Sequence, residues 1–243
     1  MLTVATYNIH KGHSMTQGSR VIQLRAGLNE LSADILCLQE VQEVNVKRVI
    51  NHTLKGQSQL ASLHDNHYPF SAYGANAIYR HGNHGNAILS KFPIVSWQNI
   101  DVSDHRLEQR GLLHAVIEHP RYSELHVICA HFGLFKGGRN RQAHALIQHI
   151  EQHVPPHATL IIGGDFNDWN LHVHRALTHH LKVTDVVEHF QQEDVGRTFP
   201  SLIPWFKLDR LYVRGLAIQA SKIYSGPTWR SRSDHAPICA HLL

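Results

Sequence analysis

At 243 residues and 42% hydrophobic composition, the chain can bury the core of one large domain, expected to span residues 1–243. The longest apolar stretches, such as Ile35 to Leu38 and Leu160 to Ile162, are of strand length and far below the ~20 residues that a membrane helix requires, so no transmembrane segment is expected. Lys and Arg exceed Asp and Glu by 23 to 19, a formal charge of +4 that mildly favours an anionic partner without identifying a nucleic-acid binder.

The N-terminus shows no charged region followed by an apolar run and a cleavage site, and the chain is expected in the cytoplasm. Cys37, Cys129 and Cys239 are odd in number and sit inside apolar runs without metal-ligand spacing, so they read as reduced core residues. The 23 histidines would make the surface more positive in mild acid. His144, His149, His153, His179 and His180 read as solvated helix or loop residues, and the absence of a dense Cys/His tract argues against metal storage.

In chain order, β-type runs are predicted at Leu2 to Tyr7, Asp34 to Leu38, Ala87 to Leu89, Leu112 to Ile117, Leu125 to Ala130, Thr159 to Ile162, Leu208 to Val213, Ala217 to Tyr224 and Ala236 to Leu242. Between them, Val21, Leu24, Leu28 and Leu31 share one helical face, as do Ala143, Leu146, Ile147 and Ile150. Strands that follow one another without an intervening helix, around residues 86 to 131 and 208 to 242, imply hairpins. The class is therefore α/β (α+β) with mixed, mostly antiparallel sheets, two of them stacked with helices outside. Gly196 to Pro204 reads as an active-face loop.

Polar side chains recur at the ends of these runs. Asn8 follows the first, Gln39-Glu40 follow Ile35 to Leu38, His131 follows Val127 to Ala130, and Asp165-Phe166-Asn167 follow Leu160 to Ile162 through two glycines. Asp209 and Ser233-Asp234-His235 stand at strand starts, which antiparallel pairing can bring to the same rim. Each has an ordinary reading: Asn8 and Asp165 as turn caps, Glu40 as a first-turn carboxylate, Asp209 with Arg210 as a surface pair, Asp234-His235 as a loop cap and His131 as a satisfied interior histidine. Together, six such groups rich in oxygen ligands and free of cysteine suit a hard cation better than zinc.

The segments TYNIHKG (Thr6 to Gly12), ILCLQEV (Ile35 to Val41), GNAILSKFPI (Gly85 to Ile94), AHFGL (Ala130 to Leu134), GGDFND (Gly163 to Asp168), LDRLYV (Leu208 to Val213) and SDHAPI (Ser233 to Ile238) stand in the order found in the endonuclease/exonuclease/phosphatase (DNase I-like) superfamily, which the chain resembles from Thr3 to His241. NIHKG and the TFPS segment at Thr198 to Ser201 look most like a small bacterial subgroup. The resemblance implies a four-layer α/β/β/α sandwich and a Mg2+-dependent phosphodiesterase, with Mn2+ a substitute. It implies Glu40 as the metal carboxylate with Asn8 and Asp234 nearby, Asp209 orienting His235, and Asp165 with Asn167 flanking the scissile phosphate. His131 matches a position that contacts or protonates a phosphate oxygen. The pattern departs at His10, where exonuclease III-like AP endonucleases carry an acidic residue of a second metal site.

On this reading a base takes a proton from water attacking in line, with His235 suited by its proton affinity and Asp165 the competing base. Arg110 matches a phosphate-contacting arginine of the DNase I-like branch. Lys11, Arg139, Arg230, Arg232 and Tyr73 are further substrate candidates, although such charges are commonly surface groups and such a tyrosine is commonly packing. Trp205-Phe206 could stack on a base or touch lipid, core packing being the commoner fate. The expected substrate is a phosphodiester, nucleic acid favoured through His131, Arg110 and the positive balance, with a phospholipid headgroup or other small phosphodiester as the alternative; no obligate protein partner is expected. No inserted aromatic pocket for an abasic sugar is recognisable. GNHGN at Gly82 to Asn86 resembles calcineurin-like metallophosphoesterases, but in the wrong order relative to Gly164-Asp165. A non-catalytic nucleic-acid or membrane-surface module is the other competing class; the catalytic-type residues are all present, and a hydrolysis assay with and without chelator separates the two.

Overall fold

The computed structural model describes residues 1–14, 18–19, 21–43, 58–64, 67–190 and 196–243. Two mixed six-stranded sheets lie face to face. At the centre of the first, β1 (Leu2–Asn8) runs parallel to β4 (Ile35–Val41) and antiparallel to β14 (Ile238–Leu242). Beyond β4 lie β6 (Gly82–Ser90) and β5 (Phe70–Tyr79), and beyond β14 lies β13 (Ile218–Ile223). In the second sheet, β10 (Thr159–Asp165) is parallel to β9 (Tyr122–His131) and antiparallel to β12 (Asp209–Arg214). β8 (Gly111–His119) and β7 (Ile94–Asp101) extend one side of it and β11 (Thr184–Asp185) the other. A separate small ribbon pairs β2 (His13–Ser14) with β3 (Gly18–Ser19).

Side chains alternate across each strand, and the central strands are covered on both faces. Val4, Ile35, Cys37, Leu113, Val127, Cys129, Ile161 and Leu211 fill the space between the sheets. The opposite faces of β1 and β4, through Ala5, Tyr7, Leu36 and Leu38, meet Leu24, Leu28 and Leu31 of α1 (Val21–Leu31) and Leu63 of α2 (Gln59–Leu63). On the far side, Leu112, Ile128, Leu160 and Ile162 pack under Leu146 and Ile150 of α3 (Lys136–His153) and Leu177 of α4 (His172–Leu181). The result is the expected α/β/β/α sandwich. The sheets approach closely at Gly163, where an added Cβ would stand 3.1 Å from those of Cys37 and Thr6.

Among the longer elements, β5, β7 and α4 escaped the sequence reading. β5 is largely half-buried and β7 largely exposed, and their patterns, FSAYGANAIY and IVSWQNID, lack a run of core residues. α4 buries Val173, Leu177 and Leu181 at helical spacing, but its other positions are mostly His, Arg and Thr.

The reading of His149 as solvated is corrected. His149 is buried on the sheet-facing side of α3, with its Nε2 2.9 Å from Nδ1 of His114 on β8, whose Nε2 lies 2.9 Å from Nδ1 of His126 on β9. His153 stacks on His149 with ring centroids 4.5 Å apart. Burial, reinforced by the neighbouring imidazoles, pushes His114 down to about 3 and His149 down to about 4 from an ordinary 6.5. Below pH 6.5 the unfolded chain therefore binds protons that the folded one refuses, and stability falls with pH. His149→Gln, which keeps a hydrogen-bonding group there, should flatten the loss of stability between neutral pH and pH 4 in urea denaturation. An unchanged slope would show that these imidazoles do not govern acid stability.

Candidate active site

The register of three strands sets the site. Asp165, the last residue of β10, lies opposite His131 on β9 and opposite Asp209 on β12, so the three side chains form one row on the same face. All three are buried. Carboxylates directly opposite one another repel, and this pair is relieved by the facing sheet. His235, just before β14, places Nδ1 2.8 Å from Asp209 Oδ2 and Nε2 3.7 Å from Asp165 Oδ2. Burial alone would push the imidazole down, but Asp209 and Asp165 outweigh it and raise it to about 10, so His235 is an imidazolium at neutral pH.

Asp165 is pushed up to about 6, chiefly by burial, against the attraction of the His235 cation. Asn8 Nδ2 donates to its Oδ2 at 3.0 Å, and the Asn167 backbone N–H donates to its Oδ1 at 3.0 Å. His131 Nε2 stands 3.7 Å from Asp165 Oδ2. Burial, with the charges of Arg110 and His235, holds His131 well below the usual imidazole range.

On the first sheet, β1 ends at Asn8, whose Oδ1 accepts the His10 backbone N–H at 3.0 Å. The chain then turns through His10 and Lys11 with φ of 45° and 55°. His10 Nδ1 meets Asp234 Oδ1 at 2.8 Å; this bond raises the imidazole, and it lowers the Asp234 carboxyl against the effect of burial. Ser233 Oγ donates to the Asn8 carbonyl at 2.7 Å and so ties the His235 segment to β1. Glu40 lies within β4, where the pairing with β6 is interrupted between Leu38 and Val41 and its own φ is 60°. A bulge of this kind re-aims a side chain. Glu40 lines the cleft, with Lys11 Nζ 3.7 Å away and Oε2 buried without a hydrogen-bond partner.

These groups floor a cleft of about 480 Å³: Asn8, Glu40, Arg110, His131, Asp165, Asn167 and His235, beneath walls of Leu134, Trp169, Phe199, Phe206 and Leu208. The model of the Endonuclease/Exonuclease/phosphatase family matches residues 5–235, from the first strand to His235. The chain belongs to that family. Its members are hydrolytic phosphoesterases, generally metal-dependent, and the chain is an enzyme of this kind.

The uncharacterized protein YbhP of Escherichia coli (strain K12) is 37% identical over 247 residues, covering 98% of this chain and 95% of the relative. Among solved structures, D. rerio TDP2 complexed with single strand DNA product superposes with a TM-score of 0.75 at 19% identity, covering 100% of this chain and 98% of the other. Bacteroides thetaiotaomicron mannosyl-6-phosphatase gives 0.72 at 18% identity, with both chains covered 100%. At these identities the structural likeness is one of fold.

The family's metal dependence fits the donor set. Among the described residues, the cysteines are core residues, while Glu40 offers a buried carboxylate oxygen and Asn8 and Asp234 offer oxygens at the ends of the neighbouring strands. Asp165, Asp209 and His235 also bring ligand atoms within 4.8 Å of one another. There, however, the imidazole already bridges the two carboxylates.

Other expected contacts are redistributed. Arg110 reaches the cleft while its Nε donates to the Phe132 carbonyl at 3.1 Å. Lys11 sits beside Glu40 without forming a wall. Tyr73 is not brought into the cleft: β5 turns its ring to the helix side, with the hydroxyl 2.7 Å from Asn83 Oδ1 and 3.2 Å from the Val41 carbonyl. Arg139 is buried in α3, donating to the Leu134 carbonyl and lying 4.3 Å over the Trp169 ring. Arg232 pairs with Glu30 at 2.9 Å and covers Trp229. Arg230 is exposed on the short turn α5 (Pro227–Arg230).

The aromatic wall of Trp169, Phe199 and Phe206 was missed. Its sequence signals were Trp169, directly after GGDFND, Phe199 in the TFPS segment, and Phe206 after Trp205. Core packing of Trp205-Phe206 does not occur: the residues are 70% and 45% exposed. Glu40→Gln should weaken Mn2+ binding more than ~10-fold in titration calorimetry, while Tyr73→Phe leaves it unchanged. Wild-type affinity in Glu40→Gln would place the cation elsewhere.

Proposed function

We propose that the chain is a Mg2+-dependent phosphodiesterase in which Asp165 activates water and His235 acts as a fixed cation. The observation that carries this reading is the Asp209–His235–Asp165 row, which separates one carboxyl that loses its proton near neutrality from one imidazole that keeps it. Asp165 takes a proton from water attacking phosphorus in line, and the ester bond on the opposite side breaks to release an alcohol and a phosphomonoester. His235, held by Asp209, faces the developing negative charge from beneath the cleft, with Asn167 and Arg110 as further donors. His131, kept neutral, can share a hydrogen with a phosphate oxygen. Glu40, with Asn8 and Asp234, would hold the cation, which when bound supplies Lewis-acid stabilisation of phosphate charge; Mn2+ can substitute.

The nucleic-acid preference expected from the sequence rests on Arg110, His131 and the positive balance. Those groups recognise a phosphate, not a base. TDP2, whose solved structure holds a DNA product, shares the fold at 19% identity, and the mannosyl-6-phosphatase shares it equally. These cleft groups specify a phosphodiester, and plasmid, abasic duplex, single-stranded DNA, RNA and phospholipid form the panel on which the substrate is identified.

With Mg2+ and bis(4-nitrophenyl) phosphate, Glu40→Ala and His235→Ala should each lose ~10²-fold or more in turnover with unchanged circular dichroism. Wild-type turnover by His235→Ala would refute the assignment. The sign of the pH dependence follows from the two groups: kcat/KM should rise as Asp165 loses its proton and fall as His235 loses its own. A profile that rises through the titration of His235 would instead make the imidazole the base.

A further inference from the structure

Exposed apolar side chains stand on the loops that line and flank the cleft. Phe199 and Phe206, both lining it, form an antiparallel bridge that closes a turn. At the tip of that turn Leu202, Ile203 and Trp205 are 64%, 61% and 70% exposed. Beside the cleft stand Leu134 and Phe135, 53% and 64% exposed. Leu107, 95% exposed, joins them through the Glu108 carboxylate, which accepts the Leu134 backbone N–H at 2.8 Å. Single exposed apolar side chains are ordinary, but a cluster around a catalytic mouth marks a contact surface.

Two features of this rim select its partner. Leucine and isoleucine offer no flat face for a nucleobase, whereas aliphatic tips with a tryptophan are the composition that buries itself in a lipid interface. The charge is also one-sided. Arg106 and Lys136 are exposed and Lys207 half-exposed on these segments. The acids among them are satisfied by the protein: Asp104 is paired with Arg141 at 2.7 Å, and Glu108 is buried. A cationic apolar rim complements an anionic bilayer.

We propose that the Leu202–Trp205 tip, with Leu134 and Phe135, inserts into an anionic phospholipid bilayer and presents a lipid phosphodiester to the cleft. The chemistry rests on the phosphodiesterase reading: the oxygen of water bonds to phosphorus, one phosphate ester bond breaks, and the proton that water gives up is balanced by one taken by the departing alkoxide oxygen, leaving an alcohol and a phosphomonoester. The docking rests on the rim alone.

The test uses the full chain with Mg2+ and vesicles of phosphatidylcholine with an equal part of phosphatidylglycerol, beside pure phosphatidylcholine vesicles. Wild type should sediment with the anionic vesicles and release phosphomonoester from them. The double variant Leu202→Asp/Ile203→Asp should lose both more than ~10-fold, because two aliphatic side chains no longer enter the lipid. Its hydrolysis of soluble bis(4-nitrophenyl) phosphate should be unchanged, and Leu202→Met/Ile203→Leu should sediment like wild type. Wild type that stays in the supernatant, or a double variant that binds and hydrolyses lipid like wild type, overturns the proposal. So does a double variant that loses single-stranded DNA binding with vesicle partition intact, or a wild-type dimer that only the double variant dissolves. Wild type that sediments but leaves bis(4-nitrophenyl) phosphate intact removes the phosphodiesterase reading and leaves the docking standing.

Discussion

Two carboxylates face each other across the end of an antiparallel strand pair, buried, and one imidazole from the opposing sheet holds them there. Without His235, Asp165 and Asp209 would present like charges in a poorly solvated place, an arrangement that costs several kcal/mol per unpaired ion. With it, the imidazole stands between the two carboxylates, which together hold its proton, while its charge in turn favours the ionised form of Asp165. Because His235 stands on the segment that leads into β14 of the first sheet and the aspartates lie in the second, the same contact ties the sandwich together where Gly163 lets the layers approach.

The remaining geometry follows from strand ends. Asn8 closes β1, joins Asp165 across the layers through its amide nitrogen and holds the His10 turn through its oxygen. Glu40 is aimed by a bulge, and the left-handed backbone at His10, Lys11, Glu40 and Asn167 gathers at this one rim. Strained positions persist where surrounding structure overdetermines them, and they cluster at functional sites. The cleft thus has an oxygen-rich side at Glu40 suited to a cation and a proton-transfer side at Asp165, with Asn8 between them.

The central strands were legible in the sequence because they are buried on both faces and read as near-continuous apolar runs. The site was legible for a related reason: its residues are the first polar groups at the ends of those runs, so local order along the chain predicted neighbourhood in space. What stayed hidden depended on direction and on tertiary partners. Nothing local tells that the Tyr73 ring turns to the helix layer, that Arg139 is absorbed by Leu134 and Trp169, or that His149 meets His114 under α3. β7 and α4 carry too many solvated side chains to announce themselves, and the apolar rim of the cleft comes from segments that are distant in sequence and irregular in backbone.

The division of labour between Asp165 and His235 depends on the charge state of the imidazole. The imidazole nitrogens of metal-free protein, observed by long-range 1H–15N correlation at pH 8, report it directly. Both should carry protons, since the flanking carboxylates raise this group to about 10. A neutral ring at that pH, with one nitrogen bare, would contradict the imidazolium between the carboxylates and the division of labour built on it.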